Sequence, residues 1–459
     1  MPQTCRYALP WQQGNVRVQG RGIHMNIAVA GTGYVGLVTG VCLAEIGHNV
    51  ICVDIDEAKI AGMKSGISPI YERDLEDLLK KNLDNGNLNF TADYIEAYYN
   101  ADVIFIGVGT PEKEDGSAYL DYLYQVCGQI ASSIEKDCLV VIKSTVPIGT
   151  NDKVEEFFKE VLRKEIKVEV ASNPEFLAQG SAVNDTLNAS RIVIGVESKW
   201  AEEILRKIYE KLPQPLVVTN RRNAEMIKYA SNDFLALKIS YMNEIANFCE
   251  LIGANVDDVA LGMSLDPRIG ERFLQAGIGY GGSCFPKDTK ALYWLGNDYG
   301  FEFKTIKAAI EINESQRYKI YRKLRTRFPS FKGIKIAILG LTFKPGTDDI
   351  REAPSISNVK RFLEDGAMLT VYDPVGTKNF QKIITSDHIY YASSPIDAIR
   401  DAQVAIIFTE WNEIKALTPY EFKNAMRTPI IYDGRNCYDI AAFIDSGVEY
   451  HSIGRKSIE

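Results

Sequence analysis

The chain has 459 residues, enough for two or three domains at roughly 150 residues each, and its 46% hydrophobic and 24% charged content is that of a folded globular protein. Lys plus Arg number 52 against 60 Asp plus Glu, a net charge of −8 with no dense basic block, which argues against nucleic acid as a partner. No apolar run reaches the roughly 18 residues of a membrane helix, and Met1 to Arg21 lacks a signal-peptide core, so no membrane role and a cytoplasmic location are expected.

Eight cysteines without a CxxC pair fit neither a disulfide framework nor a zinc site; no metal is expected, and most thiols should be buried and free. Met1 to His24 shows no periodicity and reads as an unstructured extension. Asn26 to Ala30 is then a short apolar strand that runs into Gly31-Thr32-Gly33-Tyr34-Val35-Gly36 and a helical stretch from Leu37 to Ile46. In this order Gly31 serves the tight turn, Gly33 the approach of a pyrophosphate, and Gly36 the packing of helix on strand. The next strand, Asn49 to Val53, ends in Asp54, whose carboxylate suits the ribose hydroxyls of NAD and would repel the 2′-phosphate of NADP. Lys59 just beyond either reaches the cofactor or is solvated.

Strands predicted at Val103 to Val108 and Leu139 to Lys143 end in Gly109-Thr110-Pro111 and Ser144-Thr145-Val146-Pro147. These small hydroxyls stand at the edge where doubly wound sheets bind ligands, although a capped loop is an equal reading. Val168 to Ala171 leads to Asn173-Pro174-Glu175-Phe176, an acid at the same edge.

Asn223 to Ile252 has no Gly or Pro, and Ile227, Ala230, Phe234, Tyr241, Ile245 and Phe248 recur at helical spacing, which predicts one long amphipathic helix serving as spine and dimer interface. Lys228 and Asn232 lie four apart beside that stripe; from the helix alone a solvated Lys and an incidental Asn is the plainer reading. Gly277, Gly279, Gly281 and Gly282 then crowd before Cys284, and Pro286 suits the first turn of a following helix. The helix terminus and Lys287 are expected to favour a Cys284 thiolate, with Asp288 on the same helix face. Cys42, Cys52, Cys127, Cys138, Cys249 and Cys437 read as buried thiols.

Ile334 to Leu339 followed by Gly340, and Met368 to Tyr372 followed by Asp373, repeat the first unit's order without its GxGxxG, and Lys344 is a candidate phosphate partner. Strands at Val404 to Phe408 and Pro429 to Tyr432, the latter leading to Arg435, complete this half. The expected architecture is α/β: two Rossmann-like doubly wound domains joined by a long central helix. The expected divisions are 25–218 for NAD binding, 219–325 for dimerisation and the cysteine, and 326–459 for a different phosphorylated ligand, which the family resemblance of the motifs below implies is a nucleotide sugar. The four His, at 24, 48, 388 and 451, fall in no motif, which disfavours a His-based alcohol dehydrogenase.

With GTGYVG at 31, SPIYE at 68, VGTP at 108, KSTVPIGT at 143, NPEFL at 173, GGSCFPKD at 281 and GLTFKPGTDDIRE at 340, the chain from Met25 onward resembles the UDP-glucose 6-dehydrogenases among the nucleotide-sugar dehydrogenases. The resemblance implies two successive NAD-dependent oxidations of a sugar C6 alcohol to a carboxylate, with Cys284 carrying a thiohemiacetal and then a thioester. It implies that Lys228 stabilises oxyanions, Asn232 orients the C6 oxygen, Asp288 acts as a base through water, and Glu175 and Thr145 assist water. It further implies NAD contacts from Gly31, Gly33, Tyr34, Val35, Gly36, Asp54, Lys59, Thr110, Ser144, Thr145, Gln179, Lys287 and Arg351. UDP-sugar contacts are implied for Glu175, Phe176, Leu177, Ala178, Gln179, Lys228, Asn232, Phe273, Leu274, Gln275, Ala276, Gly277, Gly281, Lys344 and Arg435, with Arg268 reaching the other subunit of a homodimer or larger homo-oligomer.

The chain departs from the family pattern in Gln179, where Glu is frequent, in Arg73-Asp74 for Pro-Gly, and in Asn188-Ala189-Ser190-Arg191, which lacks Pro-Asp before Arg; the last two are expected to stand away from the chemistry. UDP-N-acetylhexosamine and GDP-mannose dehydrogenases share the Cys, Lys and Asp framework, and the Cys-Phe-Pro-Lys-Asp form favours UDP-glucose. A catalytically silent nucleotide-sugar sensor is the reading from another class, disfavoured by the intact Cys284, Lys228 and Asp288.

Overall fold

The computed structural model describes residues 24–162 and 165–459; apart from His24, the expected N-terminal extension lies outside the described residues. Its first sheet has eight strands, β1 (Asn26–Ala30), β2 (Asn49–Val53), β3 (Leu88–Thr91), β4 (Val103–Ile106), β5 (Cys138–Ile142), β6 (Val168–Ser172), β7 (Ile192–Gly195) and β8 (Leu216–Thr219). Their order is β3-β2-β1-β4-β5-β6-β7-β8, parallel except where β7 runs antiparallel to β6. Both faces are covered by helices, so the strands are near-continuous apolar runs; all five residues of β5, Cys-Leu-Val-Val-Ile, are buried. Because chain direction reverses its progress at β1, a crevice opens at the carboxyl ends of β1 and β4, and the glycine turn after β1 lies in it.

A second sheet comprises β9 (Lys335–Leu339), β10 (Met368–Tyr372), β11 (Ile389–Tyr391), β12 (Val404–Ile407), β13 (Ile430–Asp433) and β14 (Glu449–His451), all parallel, in the order β11-β10-β9-β12-β13-β14. The duplication extends to a hydrogen bond: Asp54 after β2 accepts from the Thr32 amide at 2.9 Å, and Asp373 after β10 accepts from the Thr342 amide at 3.1 Å. In the second copy the acid is fully spent, since the Leu341 amide and Trp411 Nε1 also donate to Asp373 Oδ2 and the residue is buried.

Between the sheets runs the central helix, Arg221–Ile252, with Asn220 as its N-cap and Gly253 at φ 75° closing it. It starts two residues before the expected Asn223. Phe234, Tyr241 and Phe248 of the apolar stripe are exposed, whereas Ala224, Glu225, Lys228, Asn232, Ala236, Ser240 and Asn243 are buried, so Lys228 and Asn232 are neither solvated nor incidental. The small residues let the helices Phe285–Asp298 and Lys304–Gln316 pack closely, and the polar ones are there because partners meet them.

Candidate active site

Three side chains on the buried face of the central helix each grip a different segment. Glu225 accepts from the Gly149 amide at 2.6 Å and from the backbone and side-chain nitrogens of Asn151 at 2.9 and 2.6 Å, which satisfies the free N–H groups that open the helix Thr150–Val161. One turn on, Lys228 Nζ pairs with Glu175 Oε1 at 2.8 Å, the two side chains 4% and 5% exposed. A turn further, Asn232 Nδ2 donates to Asp288 Oδ2 at 2.7 Å while Lys287 Nζ takes Oδ1 at 2.6 Å. Glu175 follows β6 in a turn fixed by Asn173, whose amide donates to Val193 O at 2.7 Å and whose Oδ1 accepts from Lys143 Nζ at 3.0 Å and from the Tyr209 hydroxyl.

Cys284 is the N-cap residue of the helix Phe285–Asp298, with Pro286 in the first turn, and is half-buried. Burial pushes its thiol above the ordinary range, Glu175 and Asp288 add to this, and Lys228 and Lys287 pull it back only in part. The expected resting thiolate is therefore corrected: the Lys287 ammonium is committed to Asp288, and desolvation outweighs what the two cations offer. Lys228 behaves oppositely. Burial alone would lower its pKa, but Glu175, then Asp288 and Cys284, raise it above the usual range, so a buried ammonium faces the thiol.

Cys284, Lys228, Glu175 and Asn232 line a cavity of about 1100 Å³ between the carboxyl edge of the first sheet, the central helix, the glycine loop and the second sheet, whereas Asp288, 1% exposed, and Lys287 stand behind its wall. Glu175, Phe176, Leu177, Ala178, Gln179, Lys228, Asn232, Phe273, Gln275, Ala276, Gly277, Gly281, Cys284, Lys344 and Arg435 all line it. Leu274 does not: it is 4% exposed and packs in the core of the second sheet. Arg268 also stands apart, its side chain 87% exposed and paired with Asp266 at 2.6 Å. Arg435 spends its donors on Phe408 O at 2.7 Å, Gly279 O at 3.0 Å and Phe343 O at 3.0 Å, so it rivets the glycine loop to the second sheet. A Cβ at Gly281 would lie 2.4 Å from Glu352 O; the loop passes too close for any side chain there.

The dinucleotide side fits NAD. Gly31 has φ 88°, and a Cβ at Gly36 would stand 1.9 Å from Gly31 O, whereas one at Gly33 would meet nothing within 4 Å, leaving room outside a tightly closed turn for a pyrophosphate. Val35 is half-buried in this turn, and the Tyr34 hydroxyl accepts from the Gly180 amide at 3.0 Å. Asp54 is half-buried; burial raises its carboxyl, but the Thr32 hydroxyl and amide, the Asp56 amide and Lys59 outweigh it, so it remains ionised below the usual carboxylate range. Lys59 is exposed. Thr110 Oγ1 donates to Thr145 O at 2.8 Å and Ser144 Oγ to Val108 O at 2.6 Å, so two of the expected contact hydroxyls tie the ends of β4 and β5 together. Arg351 pairs with Asp349 at 2.6 Å and does not line the main cavity. Gln179 donates to Asp349 Oδ2 at 3.0 Å and accepts from the Thr347 hydroxyl at 2.9 Å, bridging the two sheet units, where a Glu would confront Asp349.

Sequence reasoning missed several cavity residues. Asn188, Ala189, Ser190 and Arg191, expected to stand away from the chemistry, form part of the wall, and the Arg191 guanidinium stacks 3.9 Å over Phe176. Their signal was the unread strand β7, which Arg191 precedes. Lys143 also lines the cavity; burial, with Lys228 adding, brings its pKa down to about 8 against the pull of Glu175. Glu225 was recoverable from its spacing, three before Lys228 and seven before Asn232.

A dinucleotide turn on one sheet, a buried Lys–Glu pair and Asn–Asp–Lys chain around a cysteine, and a second Rossmann-like unit closing the cavity define a nucleotide-sugar oxidoreductase. The chain belongs to the UDP-glucose/GDP-mannose dehydrogenase family: residues 25–213 match its NAD binding domain, 222–315 its central domain and 337–440 its UDP binding domain. It is 46% identical over 434 residues to UDP-glucose 6-dehydrogenase YwqF of Bacillus subtilis (strain 168), covering 95% of this chain and 98% of that one. It is 45% identical over 438 residues to UDP-glucose 6-dehydrogenase of Rhizobium meliloti (strain 1021), covering 94% and 100%. Among solved structures it is similar to a UDP-glucose dehydrogenase from Pyrobaculum islandicum (TM-score 0.89, 35% identity, 96% and 100% covered) and to a UDP-D-ManNAc dehydrogenase from Pyrococcus horikoshii (TM-score 0.83, 29% identity, 94% and 99% covered).

Proposed function

We propose that this protein oxidises the C6 alcohol of UDP-glucose to the carboxylate of UDP-glucuronate, with NAD accepting two hydrides per sugar. The observation that carries this reading is the Cys284 thiol among Lys228, Glu175 and Asn232 in one cavity, with Asp288 hydrogen bonded behind Asn232 and a UDP binding domain completing the chain. The identity of 46% to a UDP-glucose enzyme against 29% to a UDP-D-ManNAc enzyme supports glucose as the sugar.

NAD, when bound, supplies the hydride acceptor. Asp288 takes the C6 hydroxyl proton through water, with Asn232 orienting the oxygen and Lys228 stabilising the developing negative charge. The thiol adds to the aldehyde carbon while its proton passes to the carbonyl oxygen, giving a thiohemiacetal whose hydroxyl again faces the Lys228 ammonium. Loss of a second hydride and the hydroxyl proton leaves a thioester, and water, assisted by Glu175 and Thr145, releases the carboxylate and returns the thiol. Because the resting thiol is protonated, its activation belongs to the bound state, when substrate displaces water around Lys228.

The test is stoichiometric: wild type should form two NADH per sugar with no free aldehyde. Cys284→Ser should give a burst of up to two NADH per site and an ester adduct by intact mass, and Cys284→Ala should lose about 10³-fold or more in kcat. One NADH per sugar would overturn the covalent reading.

The remaining site assignments and the division at 219 and 326 belong to the same proposal. So does a homodimer, supported by the exposed stripe Phe234, Tyr241 and Phe248 and by Arg268 standing away from its own cavity. No helix among the described residues is long and apolar enough to cross a membrane, and the seven cysteines among the described residues, all free, support a reducing compartment, the cytoplasm.

A further inference from the structure

The reaction above leaves one buried carboxyl without a task. Asp233, beside Asn232 on the central helix, is 5% exposed, and neither of its oxygens has a hydrogen-bond partner; the Tyr229 hydroxyl, on a residue 1% exposed, also lacks one. Residues four apart lie on one helix face, so these three oxygens open on one seam, against the helix Phe285–Asp298. Buried polar atoms are almost always hydrogen bonded, and two carboxyl oxygens and one hydroxyl that brings a single hydrogen call for further donors: a proton on the carboxyl itself and an enclosed water.

The charged and titratable groups around this seam are few. The helix Phe285–Asp298 brings Asp288 and Lys287, the glycine loop brings Tyr280, and the central helix adds Tyr229 with Glu225 behind it. The helix Lys304–Gln316 contributes the apolar Ile306 and Ala309. Burial raises the Asp233 carboxyl to about 8, Asp288 adds to this, and Lys287, already bound to Asp288, offsets only part.

We propose that Asp233 is a positioning residue for Asp288: a neutral carboxylic acid that, with the Tyr229 hydroxyl, holds an enclosed water in the seam, and whose ionisation ends activity on the alkaline side. While Asp233 keeps its proton, the chain Asn232–Asp288–Lys287 contains one carboxylate and one ammonium. When it ionises, two carboxylates compete for that one ammonium, Lys287 is drawn away from Asp288, and the chain that orients Asp288 and Asn232 loosens. The proposal rests on Asp288 being part of the oxidation site.

Asp233→Asn keeps the shape and is neutral at every pH. A carboxyl whose pKa is higher folded than unfolded costs stability progressively as pH rises from about 4 to about 8. The Tm of Asp233→Asn relative to wild type should therefore increase from pH 5 to 8 and level off beyond. Wild type at neutral pH should show a protonated-carboxyl C=O infrared band that the variant lacks. Wild-type kcat should fall about tenfold per pH unit above the Asp233 transition, and the variant should stay level for at least one further unit. A pH-independent Tm difference with no infrared band would overturn the neutral acid; a band with an unchanged alkaline limb would overturn the link to Asp288. Both read without turnover, the band and the Tm difference keep this test distinct from that of UDP-glucose oxidation, which fails on its own if wild type forms no NADH from that sugar.

Discussion

Glu225 and Asn151, 74 residues apart, are joined twice: one carboxylate oxygen receives both the backbone and the side-chain nitrogen of Asn151. The bond fixes the loop bearing Ser144 and Thr145 to the helix that bears Lys228. Glu225→Ala should cost about 2 kcal/mol in urea unfolding, as expected for a lost helix cap and stranded amides, and should lower kcat more than it raises KM for the sugar. Unchanged stability would show that water replaces the carboxylate.

Lys228→Met strands Glu175 as an unpaired buried carboxylate. It should destabilise the protein by about 3–5 kcal/mol, and adding Glu175→Gln should recover part of that loss. Strict additivity in a double-mutant cycle would contradict the pairing.

The Cys284 thiol is held protonated by its surroundings, so in a Cys5→Ser background its alkylation by iodoacetamide in the free protein should be slow at neutral pH and keep accelerating beyond the pH at which an ordinary thiol has titrated. The sign follows from the raised pKa: thiolate is gained only as pH climbs through it. Cys42, Cys52, Cys127 and Cys138, buried and pushed up to about 12, should stay silent. A rate plateau below pH 8 would mean a preformed thiolate.

NAD should be used in strong preference to NADP, because Asp54 keeps its charge at the end of β2. Asp54→Ala should narrow the ratio of kcat/KM values for the two cofactors, and comparable wild-type values would remove Asp54 from that role.

Phe234→Asp with Tyr241→Asp should dissociate the protein to monomers by sedimentation. Mixed Arg268→Ala and Cys284→Ala chains should recover activity in heterodimers. An active wild-type monomer would dismiss both.

The two sheets were legible because their central strands are uninterrupted apolar runs ending in glycine or acid, as at Ala30 and Val53. The strands β3, β8, β11 and β14 were not: they are the edges of the two sheets, short and mixed with polar residues, and the short β7 lies beside one edge. The central helix was legible in extent but its buried face was not, because that face carries Glu225, Lys228 and Asn232 and the helix alone favours a solvated Lys. Polar burial is decided by partners far along the chain, Asn151, Glu175 and Asp288, which no local pattern contains. Cys284 was singled out by its glycines and Pro286, but its protonation depends on enclosure by segments from both sheets.

Glu225, Lys228, Asn232 and Asp233 occupy little more than two turns of a single backbone ladder of hydrogen bonds. Their amide hydrogens should thus exchange with solvent as one block, at the free energy of opening the whole helix segment rather than residue by residue. An opening there releases the loop at Gly149, the turn at Glu175 and the start of the cysteine helix at once, so under the proposed mechanism an aldehyde would meet either the whole arrangement or none of it.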